Sequence, residues 1–295
     1  MEKWNTPKKP RIGIYTMGLK AYWNQFPGLR ERLLHYGQFI AEKIAEMDAE
    51  VFFYGLADCE EAGESCGEFF NAKNVDLIFA HAGTYVNSSS VLPIHQICKA
   101  PVIILNLQPT ARIAYDRTPT GEWLAHCGAC PVPELSNAFH RSGISCRIIN
   151  GLLGLDHTPD ISLTDENTAA RPEAVRAWKE ISEWVKAASV KRELSGCRFG
   201  FLGNTYNGML DMYSDFTMVQ AQTGAHIEIL EMCDLDRMLR QVTEDEVEKK
   251  KAEIREFFLI SDDKAADPLA QRPTEEQLDW SARVAAAQER LVREY

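Results

Sequence analysis

Long apolar runs are missing from this 295-residue chain. None approaches the ~20 residues that a membrane-spanning helix requires, so no membrane partner is expected. The first ten residues are polar and basic and have no signal-peptide core, which predicts a cytoplasmic protein. Positive charge is scarce too. A net charge of -11 would repel a phosphate backbone, so nucleic acid is not an expected partner. Several catalytic signatures are absent. There is no Gly-x-Gly-x-x-Gly after the first strand pattern, no Walker loop, no Gly-x-Ser-x-Gly elbow and no His-Glu-x-x-His. Their absence sets aside dinucleotide binding, P-loop chemistry, the serine-hydrolase elbow and the zincin helix. Eight cysteines are present, but only one Cys-x-x-Cys, Cys127 to Cys130. A structural zinc site would lack half its ligands. Several cysteines sit in apolar stretches, which fits a reducing compartment better than a disulfide framework.

What is present is alternation. Short apolar runs at residues 11–17, 49–54, 75–80, 102–107 and 145–152 read as strands. Helical patterns at 29–47, 59–72, 88–98 and 131–141 separate them. Strand, helix, strand at this spacing predicts βαβ units in a parallel sheet. The Val, Ile and Leu richness of 102–107 predicts a sheet covered on both faces. A turn-rich stretch at 155–164 leads to a long amphipathic helix at 172–192, with Val175, Trp178, Ile181, Trp184 and Val185 on one stripe. Strands follow at 198–202 and 226–232, and helices at 209–222, 235–242, 244–260 and 275–294. The fold class expected is α/β. Two three-layer α/β/α domains with mainly parallel sheets are expected, residues 1–165 and 166–295, the second incomplete. The last helical pattern is still running at Tyr295, which predicts a natural chain that continues.

Open parallel sheets bind ligands just past the carboxyl ends of their strands. Lys20, Tyr22 and Trp23 follow the first strand. His81, Gly83, Thr84, Tyr85 and Asn87 follow the third, and Asn106 and Gln108 end the fourth. His126, Glu134 and Asn137 come next, and Asn204, Tyr206 and Asn207 follow the sixth strand. Amides and carboxylates suit sugar hydroxyls, and aromatic rings suit the apolar faces of sugars. Each residue also has a plainer role: His81 as the end of a strand, Tyr85 as a packing residue, Asn204 and its neighbours as an ordinary turn. A flavodoxin-like phosphate site would need small residues after the first strand. The best cradle is Ser88 to Ser90, which equally opens a helix.

Several segments bring a family into view. They are His81-Ala-Gly-Thr-Tyr-Val-Asn87, Ala100-Pro-Val-Ile-Ile-Leu-Asn-Leu-Gln-Pro109 and Cys127-Gly-Ala-Cys-Pro-Val-Pro-Glu134. Most telling are Cys197-Arg-Phe-Gly-Phe-Leu-Gly-Asn-Thr-Tyr-Asn-Gly-Met-Leu-Asp-Met-Tyr-Ser-Asp215 and Gly224-Ala-His-Ile-Glu228. With these the chain resembles the N-terminal and central parts of the L-arabinose isomerase / L-fucose isomerase family. The resemblance implies aldose–ketose interconversion of a pentose or 6-deoxyhexose through an enediol. It implies a divalent metal, usually Mn2+, in the complete enzyme, and a homo-oligomer, trimeric or hexameric. It places the metal-binding and catalytic groups beyond Tyr295, so no metal ligand and no turnover are expected of this chain alone. Lys20, Tyr22 and Met209 stand near expected sugar-contacting positions, though the side chains after the first strand depart from the arabinose-isomerase pattern. The alternative is a non-catalytic sugar-binding α/β module.

Overall fold

The computed structural model describes residues 8–157, 167–203, 207–260, 262, 266, 269 and 271–295. The chain divides into two compact units, residues 1–193 and 194–295. The first is an α/β domain. In chain order it holds β1 (Arg11–Met17), α1 (Leu29–Ala45), β2 (Glu50–Ala57), α2 (Glu60–Ala72), β3 (Leu77–His81) and α3 (Ser88–Ile97). β4 (Val102–Gln108), α4 (Thr120–Leu124), α5 (Val132–Arg141), β5 (Cys146–Leu152) and α6 (Pro172–Leu194) follow.

The five strands form one parallel sheet in the order β2-β1-β3-β4-β5. Side chains alternate between its faces. Ile12, Ile14, Leu77, Phe79, Ile103 and Leu105 enter one core with the buried residues of α1 and α6. Tyr15, Met17, Ile78, Ala80, Val102 and Ile104 enter a second core with residues of α2, α3 and α5. Both faces are therefore covered, as the unbroken apolar runs predict. The helices change face because the chain leaves β1 first toward β2 and then crosses back to β3. Right-handed crossovers put α1 on one side and α2, α3 and α5 on the other.

Three expectations need correction. The boundary falls between Glu193 and Leu194, not near residue 165. The reason is α6: Ala174, Ala177, Trp178, Ile181, Val185 and Ala188 all enter the first unit's core, while Val175, expected on that stripe, is exposed. β2 does not stop before Gly55 but runs to Ala57. Its register slips opposite Ile14 and Tyr15, and Gly55 takes a φ of 103° there, which a glycine tolerates. The helix expected over 209–222 is instead a 3-10 turn, Leu210–Met212, and α7 (Phe216–Thr223). Asp215 sets the new start, since its carboxylate accepts the Met218 N–H at 2.9 Å.

The second unit pairs β6 (Arg198–Leu202) in parallel with β7 (His226–Leu230). These are its two strands among the described residues, so no three-layer sandwich is seen there. α8 (Met232–Leu239), α9 (Glu244–Phe257) and α10 (Glu275–Glu294) complete it. Its core gathers Leu230, Leu235, Met238, Val242 and Val247 with Ala282, Ala286, Ala287 and Leu291. Among the described residues no helix is long and apolar enough to cross a membrane.

Candidate functional site

The strand order reverses direction between β1 and β3. At such a switch point the loops after the two strands part and leave a crevice at the carboxyl edge. The loop after β1 is pinned to the end of β2. Gly18 N–H donates to the Ala57 carbonyl at 3.2 Å, and Lys20 N–H donates to the Asp58 carbonyl at 3.1 Å. Trp23 Nε1–H donates to Asp58 Oδ2 at 2.7 Å. Lys20 and Tyr22 are thereby held in a 3-10 turn. Lys20 is exposed and Tyr22 half-buried, its ring edge-on to Phe26.

The loop after β3 has a buried foot and an open tip. His81 Nδ1 lies 3.2 Å from Thr16 Oγ1. Burial pushes the His81 pKa down to about 3, so at neutral pH this imidazole is uncharged and structural. Thr84 is buried, and its hydroxyl has no hydrogen-bond partner among the described residues. Tyr85 turns outward instead, and its hydroxyl donates to Glu134 Oε2 at 3.0 Å. The other carboxylate oxygen accepts the Ser88 N–H at 2.8 Å. That N–H, helped by the Ser88 and Tyr85 hydroxyls, holds the Glu134 carboxyl below its usual range. The carboxylate in turn raises the Tyr85 phenol. Asn137 stands one turn further along α5, exposed.

A third wall is the turn Cys127–Ala129 before α5. It presses against the end of β3: a Cβ on Gly128 would lie 2.1 Å from the Ala82 carbonyl oxygen, so only glycine lets the turn sit this close. Burial, and then the nearby Cys127 and Cys130, raise the Tyr22 phenol. Tyr22 in turn acts on Tyr85. The loop after β3, the cysteine turn and the start of α5 thus meet at one place, with Tyr22 on the neighbouring loop after β1.

The structure brings together Tyr85 and Glu134 from the predicted set, with Tyr22 and Lys20 on the adjacent loop after β1 and Asn137 exposed on α5. His126 Nδ1 lies 2.9 Å from the Glu122 carbonyl oxygen, while its buried Nε2 has no hydrogen-bond partner among the described residues. Burial lowers its pKa. Asn106 and Gln108 form an amide chain with Asn150: Asn106 Nδ2–H donates to Asn150 Oδ1 at 2.7 Å, and Gln108 Nε2–H to Asn106 Oδ1 at 3.0 Å. Asn204 and Tyr206 lie outside the described residues, and Met209 is exposed in the second unit. The Arg32–Glu122 ion pair, which braces α4 against α1 beside His126, escaped the sequence reading. Its partners lie 90 residues apart, and no local pattern joins them.

These residues do not fit a manganese ion. Glu134 and Asp58 are the cluster's nearest carboxylates among the described residues; both oxygens of Glu134 already accept hydrogen bonds, and Asp58 Oδ2 accepts the Trp23 Nε1–H. Mn2+ prefers several carboxylate, carbonyl or water oxygens. Among the described residues no three His, Cys, Asp or Glu side chains form a metal-holding group. What the cluster offers is hydrogen bonding beside aromatic surface. No family model matches the chain, and no curated protein matches it.

Proposed function

We propose that the first unit holds a monosaccharide, a pentose or 6-deoxyhexose, at the carboxyl edge of its sheet. On this reading the chain serves as the sugar-holding part of an aldose–ketose isomerase of the L-arabinose/L-fucose isomerase kind, working as a homo-oligomer in the cytoplasm. The observation that carries the reading is the Tyr85–Glu134–Ser88 hydrogen-bonded group at the carboxyl edge of the sheet, beside the β1/β3 switch point whose other loop carries Tyr22. Tyr22 offers ring surface to the C–H face of the sugar. Tyr85 and Glu134 offer a phenol and a carboxylate to its hydroxyls, and the Ser88 N–H fixes the carboxylate in place. These residues take the sugar and no metal.

A second reading is a sugar-binding module without turnover. It is favoured by Glu134 and Asp58 both being held in hydrogen bonds within the protein, because proton transfer between adjacent carbons calls for a positioned acid and base. Both readings require sugar binding at this edge. Titration calorimetry with L-arabinose and L-fucose, with D-glucose as comparison, tests it. Saturable binding is expected, weakened about 5–10-fold in Tyr85→Phe by loss of one hydrogen bond. No binding by the folded chain, or equal affinity in Tyr85→Phe and Glu134→Gln, overturns the assignment.

A further inference from the structure

The cysteine turn carries chemistry that a sugar site does not require. Cys130 N–H donates to the Cys127 carbonyl at 3.2 Å and closes the turn. The two sulfurs stand 2.6 Å apart. A turn closed in this way keeps the flanking Cα atoms within about 7 Å, the limit for bridging two cysteines without moving backbone. The close seat of Gly128 on Ala82 holds the turn in that shape.

The pair is asymmetric. Cys127 is 5 % exposed, whereas Cys130 is open to solvent. An exposed thiol backed by a buried one in contact is the arrangement for attack followed by resolution. Cys66 and Cys98 are closed to this chemistry, since both are buried in the second core of the sheet.

We propose that Cys127 and Cys130 form a dithiol site that exchanges reversibly with low-molecular-weight disulfides. In the first step the Cys130 thiolate attacks one sulfur of the incoming disulfide. Its S–S bond breaks, and one small thiolate leaves and takes a proton from water. In the second step Cys127 gives its proton to water and attacks Cys130 Sγ. The mixed disulfide breaks, and the second small thiolate leaves. Two protein thiols lose two electrons, and one small disulfide becomes two thiols. The chemistry makes no use of sugar and stands or falls apart from the sugar reading.

The test uses the full chain equilibrated in glutathione buffers of increasing oxidation, quenched with acid, alkylated and digested with trypsin. Residues 118–141 emerge as one peptide holding Cys127 and Cys130 and no other cysteine. The expected product is this peptide lighter by two hydrogens, without a glutathione adduct, and restored by reduced glutathione. Cys127→Ser should trap one glutathione on Cys130. Cys130→Ser, at an exposed position that leaves the core untouched, should give neither product. Phenylarsine oxide, which bridges adjacent thiols, should block alkylation of this peptide in the wild type and in neither variant. A peptide that stays fully reduced in oxidised glutathione, or that carries two adducts and no internal bond, overturns the proposal.

Discussion

The two units of this chain reach stability by different means. In the first, five parallel strands are covered on both faces, and the largest side chains, among them Phe70, Phe79 and Phe139, are fully buried. In the second, Phe199 and Ile229 of the paired strands face outward, as do Met232, Phe257 and Phe258. A hollow of about 580 Å³ lies beside Ile254, Phe257, Phe258 and Ala285. Charge joins α9 to α10 instead: Arg290 to Glu246, Arg283 to Glu244, Lys250 to Glu289, Lys251 to Asp279 and Arg255 to Glu275. A two-stranded sheet makes a poor independent core, and exposed ion pairs contribute little each. The first unit should therefore depend on packing volume and the second on capping and charge.

Removing packing volume gives the largest expected difference. Phe79→Ala opens a cavity between β3 and the α1/α6 layer and should cost about 3–5 kcal/mol. Urea unfolding read by hydrogen exchange should show the loss in the first unit and not in α8–α10. Ile229→Thr, at an exposed position of β7, should stay within about 0.5 kcal/mol. Equal losses from the two substitutions would erase the contrast in packing.

Acid separates the units next. His81 and His95 are buried and neutral, with pKa values pushed down to about 3 by burial. The unfolded chain takes up their protons near pH ~6.5. Below that pH the unfolded state binds more protons, so stability falls with pH until the folded values are reached. Each histidine removes up to about 2 kcal/mol by pH 5. The second unit has a different window. Its Glu246 carboxyl is held down to about 2 by Arg290 and the Thr243 cap. Its contribution is complete above the ordinary carboxylate pKa and is lost only as pH falls from about 4.5 to about 2. Urea midpoints between pH 7 and 5, read by exchange pulses at one fixed pH, should fall for the first unit alone. Replacing His95 with Asn should remove less than half of that slope, because His81 and His126, both lowered by burial, supply the rest. Parallel loss in both units from pH 6.5 would contradict the assignment of these buried imidazoles.

Much of the first unit was legible because two-sided burial writes itself as unbroken apolar runs such as Val102 to Leu107. The stripe of α6 was legible too, through Trp178, Ile181 and Val185. Which sheet it covers was not, because amphipathicity names a face and not its partner. That is why the boundary was misplaced. β2's continuation past Gly55 depends on a register shift against β1, and register belongs to pairs of strands. At the site, Tyr22, Tyr85 and Glu134 were each readable as polar or aromatic groups near strand ends. The bond between Tyr85 and Glu134 joins residues 49 apart, and the brace from Arg32 to Glu122 spans 90. Such contacts exist only once the sheet order is set. Cys127 and Cys130 show the converse: their spacing is local, and so was the signal.

Salt gives the smallest effect and the sharpest view of the second unit. At 1 M ionic strength the Debye length falls to about 3 Å, which screens exposed pairs such as Arg237 with Glu294 and Arg290 with Glu246. The caps survive screening, because the Thr243 and Thr274 hydroxyls accept the Glu246 and Gln277 N–H groups without formal charge. Sodium chloride should therefore lower the unfolding midpoint of α9 and α10 slightly, by less than either effect above, and move the first unit less, since pairs such as Lys9 with Asp48 and Lys179 with Glu183 are sparser there. Glu246→Gln keeps an oxygen that can accept the Thr243 N–H and removes the charge facing Arg290. If ion pairing is what holds α10 to α9, that variant should lose part of the remaining salt dependence at pH 7, the pairs at Glu244, Glu289, Asp279 and Glu275 keeping the rest. Its midpoint should also decline less than the parent's between about pH 4.5 and 2, the held-down Glu275 and Glu294 carboxyls keeping the rest of the slope. A variant that keeps the parent's salt slope would show that the alanine-rich seam of Ala282, Ala286 and Ala287, and not charge, joins the two helices.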